Sequence, residues 1–285
     1  MQTMTPTSAE TKVTASRPIC HYALGNTDAE HQRLIRQAAY LAPITEQFFR
    51  EAGIGRGQRV LDLGSGAGDV AMLAARLVGP TGEVVGIERD AHSITRARTR
   101  VAHAGFDNVS FVQCDASQVE AGAPFDAVVG RFILMFLPDP VAVLRGLCQL
   151  VRPGGVVAFQ EVSWAHFLQR WEHLPLWSAT GHLAYETLHR SGADLEMGFA
   201  LYRAFQEAAL LAPVMKMEVP LGSDAQFVRL IYDLLCSLLP EAKRLGLPLH
   251  ALGDSSTLLE RLQAEVAASN SVVSWMALVG AWTRK

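Results

Sequence analysis

From Gln58 onward the chain alternates between two hydrophobic periods. Arg59-Val60-Leu61-Asp62-Leu63 is a short apolar run that ends in glycines, the pattern of a buried strand entering a turn. Asp69 to Val78 carries Val70, Leu73, Ala74 and Leu77 on helical spacing, and Gly79-Pro80-Thr81-Gly82 ends it. Val84 to Ile87 reads as a second strand, His92 to Ala104 as a basic helix, Val109 to Gln113 as a third strand and Phe125 to Val129 as a fourth. Val141 to Val151 is helical, Arg152-Pro153-Gly154-Gly155 closes it with a turn, and Val156 to Phe159 is a fifth strand. Strands alternating with helices at this spacing predict a parallel sheet covered on both faces, and right-handed crossovers make it doubly wound.

The flanks are less regular. Asp28 to Arg50 reads as one or two helices interrupted at Pro43. Trp164 to Leu211 holds aromatics, histidines and helical stretches without a strand. Val214 to Val219 and Val272 to Trp282 read as strands, with helices at Asp224 to Leu239 and Ser255 to Ala267. The last two strands are expected to pair antiparallel at one sheet edge. The fold class is therefore α/β: a doubly wound, mostly parallel, seven-stranded sheet with a helical lid. The expected divisions are a flexible tail (1–17), an N-terminal helical cap (18–57), the α/β core (58–161), the lid (162–212), and the last two strands with inserted helices (213–285).

Composition narrows the picture. Hydrophobic residues make up 49% and charged residues 19% of the 285, the latter below the roughly 25% of ordinary soluble domains. With a mean hydropathy of +0.16, the chain has extra apolar surface to hide, in a greasy pocket or an oligomer interface such as a homodimer. A net charge of −3 disfavours a nucleic-acid surface built on bulk positive charge. No apolar run approaches the ~18 residues of a membrane span, since Phe132 to Leu137 stops at Pro138. Cys20, Cys114, Cys148 and Cys236 are scattered without metal or redox spacing, so no metal site is expected and reduced thiols in the cytoplasm are.

Chemistry concentrates in Asp62-Leu63-Gly64-Ser65-Gly66-Ala67-Gly68-Asp69, between the first strand and the first core helix. Open α/β sheets bind ligands beyond the carboxyl ends of their strands. A dinucleotide fingerprint would place its third glycine at position 69, where the chain has Asp69. That anion complements the helix dipole and opposes a pyrophosphate, so the loop suits a ligand without phosphate. Glu88 ends the second strand, where a carboxylate can accept from both ribose hydroxyls. Asp115 follows the third strand and can accept from an adenine amine. Ribose, adenine and no phosphate together describe S-adenosylmethionine.

With these motifs in this order, Val60 to Glu161 resembles the core of a class I S-adenosylmethionine-dependent methyltransferase. The small-molecule branch, akin to quinone-biosynthesis and secondary-metabolite enzymes, matches best. The resemblance implies that Gly64, Ser65, Gly66 and Gly68 shape the loop around the methionine part, and that Asp62 fixes the loop and meets the amino group. It assigns Glu88 to the ribose, Arg89 to the adenine edge, and Asp115 with the Ala116 amide to the adenine. Arg131, after the fourth strand, lies where the family contacts the methionine portion. Tyr22 is expected at the methionine carboxylate, and Tyr22 and His31 lie in a segment that folds over the cofactor.

Methyl transfer from a sulfonium depends chiefly on placing the nucleophile in line, and a general base adds to that where the acceptor carries a proton. Glu161, just past the fifth strand, and His166 in the lid are the expected bases; His182 is the other histidine considered. Trp164, Phe167, Trp171, Trp177, Tyr185, Phe199, Tyr202 and Phe205 offer ordinary lid packing or, for some, a pocket for a flat or apolar acceptor. Two further readings keep the cofactor: a cyclisation or rearrangement without methyl transfer, and a non-catalytic S-adenosylmethionine-binding protein. A nicotinamide dehydrogenase is opposed by Asp69.

Overall fold

The computed structural model describes residues 23–25, 27–119, 122–168 and 173–285. The elements run α1 (Asp28–Glu51), β1 (Arg59–Leu63), α2 (Asp69–Val78), β2 (Glu83–Glu88), α3 (Ala91–His103), β3 (Val109–Gln113), β4 (Phe125–Arg131), α4 (Pro140–Leu150) and β5 (Val151–Ser163). They continue with α5 (Pro175–Arg190), α6 (Met197–Glu207), β6 (Val214–Glu218), β7 (Leu221–Gly222), α7 (Ala225–Arg244), α8 (Leu258–Ala268), β8 (Val273–Ser274) and β9 (Ala277–Arg284). Seven strands form one sheet in the order β3-β2-β1-β4-β5-β9-β6, and β7 pairs with β8 in a separate two-residue ladder. β1 to β5 are mutually parallel, while β9 runs antiparallel to both β5 and β6.

Strand residues alternate between two hydrophobic clusters, one on each face. Val60, Val84, Val129 and Ala158 join the cluster under α2 and α3, whereas their neighbours Leu61, Val85, Val128 and Val157 join the larger cluster that includes Trp164 and Trp177. Burial on both faces is why these strands are near-continuous in apolar residues. The helices begin where side chains cap them: Thr27 accepts from Glu30 at α1, Asp90 from Ser93 at α3, Asp139 from Ala142 at α4 and Asp224 from Gln226 and Phe227 at α7.

Four expectations about element boundaries are corrected. α1 passes through Pro43 without a break. The proline sits on the exposed side, while Leu41, Thr45, Phe48 and Phe49 are buried on the other, so packing holds the helix together across the missing N–H. α7 similarly runs through Pro240 to Arg244. The last predicted strand is two pieces, β8 and β9, separated by Trp275 and Met276. The Arg152–Gly155 turn opens β5 instead, with a register shift against β4 between Phe125 and Ala127. α6 packs on β5 and β9, and α5 packs on α7 and α8. Tyr22, Trp171, Cys20 and the 1–17 tail lie outside the described residues; Cys114, Cys148 and Cys236 are free thiols. No helix among the described residues is long and apolar enough to cross a membrane.

Candidate functional site

The carboxyl ends of β1, β2, β3 and β4 open into one cavity of about 240 Å³. The loop after β1 contributes Gly64, Ser65 and Gly66; Glu88 and Arg89 come from the end of β2, Asp115 and Ala116 from beyond β3, and Arg131 from the end of β4. Parallel pairing of Leu63 with Gly130 and of Glu88 with Gln113 sets these ends side by side. Eight of the sequence-expected site residues are thus brought together. Asp62, Gly68, Glu161 and His166 are not on the cavity wall.

The loop needs its glycines. Gly64, Gly66 and Gly68 have φ of 68°, 50° and 84°, a region costly for other residues. A Cβ on Gly64 would also lie 2.7 Å from the Ile133 side chain. Ser65 N–H donates to the Ile87 carbonyl, and Gly68 N–H to the Ser65 carbonyl. Glu88 clamps the loop from the next strand: Oε2 accepts from Gly66 N–H at 3.0 Å, and Oε1 from Arg89 and Asp90 N–H at 2.8 and 3.0 Å. A carboxylate has about four acceptor directions, so Oε2 retains room for one donor in this arrangement while Oε1 is filled. Binding both hydroxyls of a ribose, as the sequence suggested, requires Glu88 to release a backbone N–H.

Asp69 behaves differently from its sequence reading. Arg100 pairs with it at 2.7 Å, so much of the charge expected to oppose a pyrophosphate is neutralised. Asp62 lies below the loop, buried, with both carboxylate oxygens lacking a hydrogen-bond partner. Burial, only partly countered by the Arg131 charge, holds its carboxyl well above the usual range. Asp115 Oδ1 accepts from both the Ser117 N–H and hydroxyl, which lowers its pKa and presents it as an anion beside Ala116.

The two expected bases lie off the cavity wall. Glu161 is fully buried and spends its carboxyl on the backbone: Oε1 accepts from Ile133 and Leu134 N–H at 3.0 and 2.8 Å, and Oε2 lies 3.4 Å from Met135 N. It anchors the short turn that carries Ile133, Met135 and Phe136 into the cavity wall. Burial pushes its pKa up to about 8. His166 uses Nε2 on the Trp275 carbonyl at 2.9 Å, and His182 is exposed on α5. Of the described lid aromatics only Trp164 lines the cavity; Phe167, Trp177 and Phe205 are core, and Phe199 and Tyr202 are exposed.

Sequence reasoning missed part of the wall. α1 presents Arg33, Leu34 and Gln37 to the cavity beside the anticipated His31, and Trp275 and Met276 close it from between β8 and β9. The available signal in α1 was polar residues on the same helical face as buried apolar ones. Asp28, His31 and His92 also place ligand-type atoms within 4.8 Å of one another, although no metal site was expected. Arg96 already pairs with Asp28, and His31 Nε2 lies 3.1 Å from Ser93 Oγ.

Three observations fit S-adenosylmethionine: a buried, unpartnered carboxylate at Asp62, a glycine loop that lets backbone approach the ligand, and anionic acceptors at the ends of β2 and β3. The comparisons agree. The family described as "Methyltransferase domain" matches residues 54–208. The chain is 30% identical over 173 residues to a ubiquinone/menaquinone biosynthesis C-methyltransferase of Coxiella burnetii, covering 60% of this chain and 67% of that one. It is 38% identical over 114 residues to an arsenite methyltransferase of Aquipseudomonas alcaligenes, covering 37% and 33%. Two solved structures share the fold: the YcgJ protein of Bacillus subtilis (TM-score 0.52, 15% identity, 87% of this chain and 99% of that one) and the [4+2]-cyclase SpnF (0.50, 16%, 85% and 80%).

Proposed function

Since the chain belongs to the class I S-adenosylmethionine-dependent methyltransferases, we propose that it methylates a small, flat, largely apolar acceptor seated beside the cofactor in the strand-end cavity. The observation that carries this reading is the makeup of the wall. Glu88, Asp115 and the glycine loop line it together with an aromatic and thioether set, Trp164, Trp275, Met135, Met276, Phe132 and Phe136. An aromatic and thioether surface favours an apolar ring. The Coxiella relative is named for C-methylation in quinone biosynthesis, and a quinol-like ring belongs to the class this surface suits. The arsenite-methyltransferase relative suggests a soft metalloid instead, but Cys114 is the one thiol on the wall among the described residues.

The cofactor, when bound, supplies an electrophilic methyl group on a sulfonium. In this reading Glu88 takes the ribose, Asp115 and Ala116 the adenine, and Arg89 its edge. Gly64, Ser65 and Gly66 hold the methionine part, while Asp62 and Gly68 support the loop from beneath. The described parts of 18–57 act as a cap and those of 162–212 as a lid. Glu161 sets the turn from Ile133 to Met135 rather than moving a proton, so the chemistry rests on placement and exclusion of water. The test is product mass from a panel of hydroquinones and phenols incubated with S-adenosylmethionine. A product one methylene unit heavier, with S-adenosylhomocysteine released, supports the reading. An isomer of unchanged mass replaces it with a cyclisation or rearrangement, and cofactor binding with no turnover of any panel member counts against this acceptor class.

A further inference from the structure

Apolar side chains left in solvent are concentrated at one edge of the main sheet. Of the eight large hydrophobic side chains that stand exposed among the described residues, six fall between positions 199 and 221: Phe199 and Tyr202 on α6, Leu211 just after it, Val214 and Met217 on β6, and Leu221 on β7. β6 ends the strand order, so one of its edges carries N–H and C=O groups with no neighbouring strand among the described residues. Val279 on β9 ties α6 to β6. A Cβ on Gly198 of α6 would lie 2.8 Å from Val279 Cβ, and the ladder partner of Val279 is Met217. Directly opposed residues of an antiparallel pair share a face, so Met217 projects on the α6 side of the sheet. There Phe199 and Tyr202 remain 56% and 45% exposed and Met217 54%. An apolar strip along an open sheet edge marks an association face.

The charges on the opposite face of β6 identify the partner. Lys216 projects toward α1, with Nζ 3.0 Å from Glu51 Oε1 and 3.0 Å from Glu218 Oε1. Lys216 and Glu218 are each 28% exposed, so both can meet a charge from outside the chain. A two-fold axis normal to a sheet keeps every side chain on its own face and pairs an edge strand antiparallel with its own copy. Centred on Lys216, that pairing sets two ammonium groups against each other; centred on Glu218, it sets two carboxylates. Centred on Met217, it places Lys216 opposite Glu218 twice and Met217 opposite itself. Among registers centred on a residue of β6, this one alone pairs both charges. Opposite charges directly across a ladder stabilise it and like charges oppose it. An edge lysine ordinarily blunts strand pairing, and a carboxylate facing it removes that obstacle.

We propose that β6 and α6 form a self-association face, and that two copies of the chain join their sheets by antiparallel β6–β6 pairing about a two-fold axis at Met217. Each Lys216 then lies opposite the partner's Glu218, and the two α6 helices stand on the same face of one continuous sheet. Pro213 and Pro220 bracket the five-residue strand and lack N–H donors, so the new ladder is short. A stable interface buries about 800 Å² on each partner, more than such an edge offers, and the exposed α6 face supplies the remainder. No residue of α6 or β6 lines the strand-end cavity, so the pairing leaves the cavity of each copy untouched and stands apart from the cofactor reading.

The test is the mass of the full chain in solution, by light scattering after size exclusion and by sedimentation velocity over a wide concentration range. Wild type should have twice the 31.0 kDa of one chain. Glu218→Lys leaves only lysines at the two charged positions, and Lys216→Glu only glutamates. Each change acts twice across the axis, and each should raise the dimer dissociation constant roughly 10- to 100-fold. Mixed in equal amounts, the two variants face each other with opposite charges at both positions and should recover the dimer. Should either variant fail to fold, by its far-ultraviolet spectrum and melting temperature, Met217→Lys is read instead; it sets two ammonium groups on the axis and should also dissociate the pair. A wild type that is monomeric at every concentration would overturn the proposal and leave the strip to another occupant. A dimer indifferent to all three substitutions would use another face, and weakening without recovery on mixing would exclude this pairing; either result overturns it too.

Discussion

Glu161→Gln tests how a buried acid shapes stability. In the folded protein the carboxyl titrates near 8, against 4.5 for the ordinary group, because burial outweighs the three backbone N–H donors around it. Between those two values the folded state holds a proton that the unfolded state has released. The unfolding free energy therefore falls as pH rises through that window: the stability is complete below about pH 4.5 and lost by about pH 8. The gap corresponds to about 5 kcal/mol, a large share of a typical domain's total. The substituted amide would keep an oxygen for the Ile133 and Leu134 N–H groups and carry no titrating proton to lose. Urea unfolding of both proteins at intervals from pH 5 to 9, extrapolated to water, gives the difference curve directly. The variant should be equal to or slightly weaker than wild type at pH 5 and more stable by several kcal/mol at pH 8.5. A flat difference curve, with the variant uniformly weaker, would refute the reasoning: the N–H donors would then be holding Glu161 as an anion at all these pH values.

Four other substitutions probe the site and its scaffold. Glu88→Ala removes three hydrogen bonds to the backbone as well as the proposed ribose acceptor, so S-adenosylhomocysteine affinity should drop roughly 10- to 100-fold, with a lower melting temperature without ligand. Asp62→Asn removes a buried carboxyl of raised pKa; thermal scans at pH 8 should show a ligand-free protein at least as stable as wild type but a smaller stabilisation by cofactor. Gly64→Ala combines a φ of 68° with a Cβ 2.7 Å from Ile133, and both stability and cofactor affinity should fall, by urea unfolding and calorimetry. Pro43→Ala restores an N–H within α1 at an exposed position and should stabilise by about 1–3 kcal/mol with an unchanged far-ultraviolet spectrum; destabilisation would mean that the helix needs a bend there.

The order of strands and helices, the parallel core and the wall formed at the strand ends were all legible in the amino-acid sequence. These depend on short-range properties: two-residue and 3.6-residue hydrophobic periods, glycines at positive φ, and carboxylates at the last residue of a strand or just beyond it. Hence β1, β3 and α2 match their expected limits, and Gly64, Glu88 and Asp115 meet in one cavity. The remainder came from packing in three dimensions. Pro43 reads as an interruption because a missing N–H is a local fact, whereas the burial that keeps α1 continuous comes from its packing on α2 and α7, far away in the chain. Glu161 read as a base because it follows a strand end, but the Ile133–Met135 turn folds over it and claims its oxygens. Charge partners are likewise invisible in one dimension. The hydrogen bonds of Arg100 to Asp69, Arg131 to Thr45 and Thr45 to Gln160 join residues 31 to 115 positions apart, and only packing brings such groups within reach.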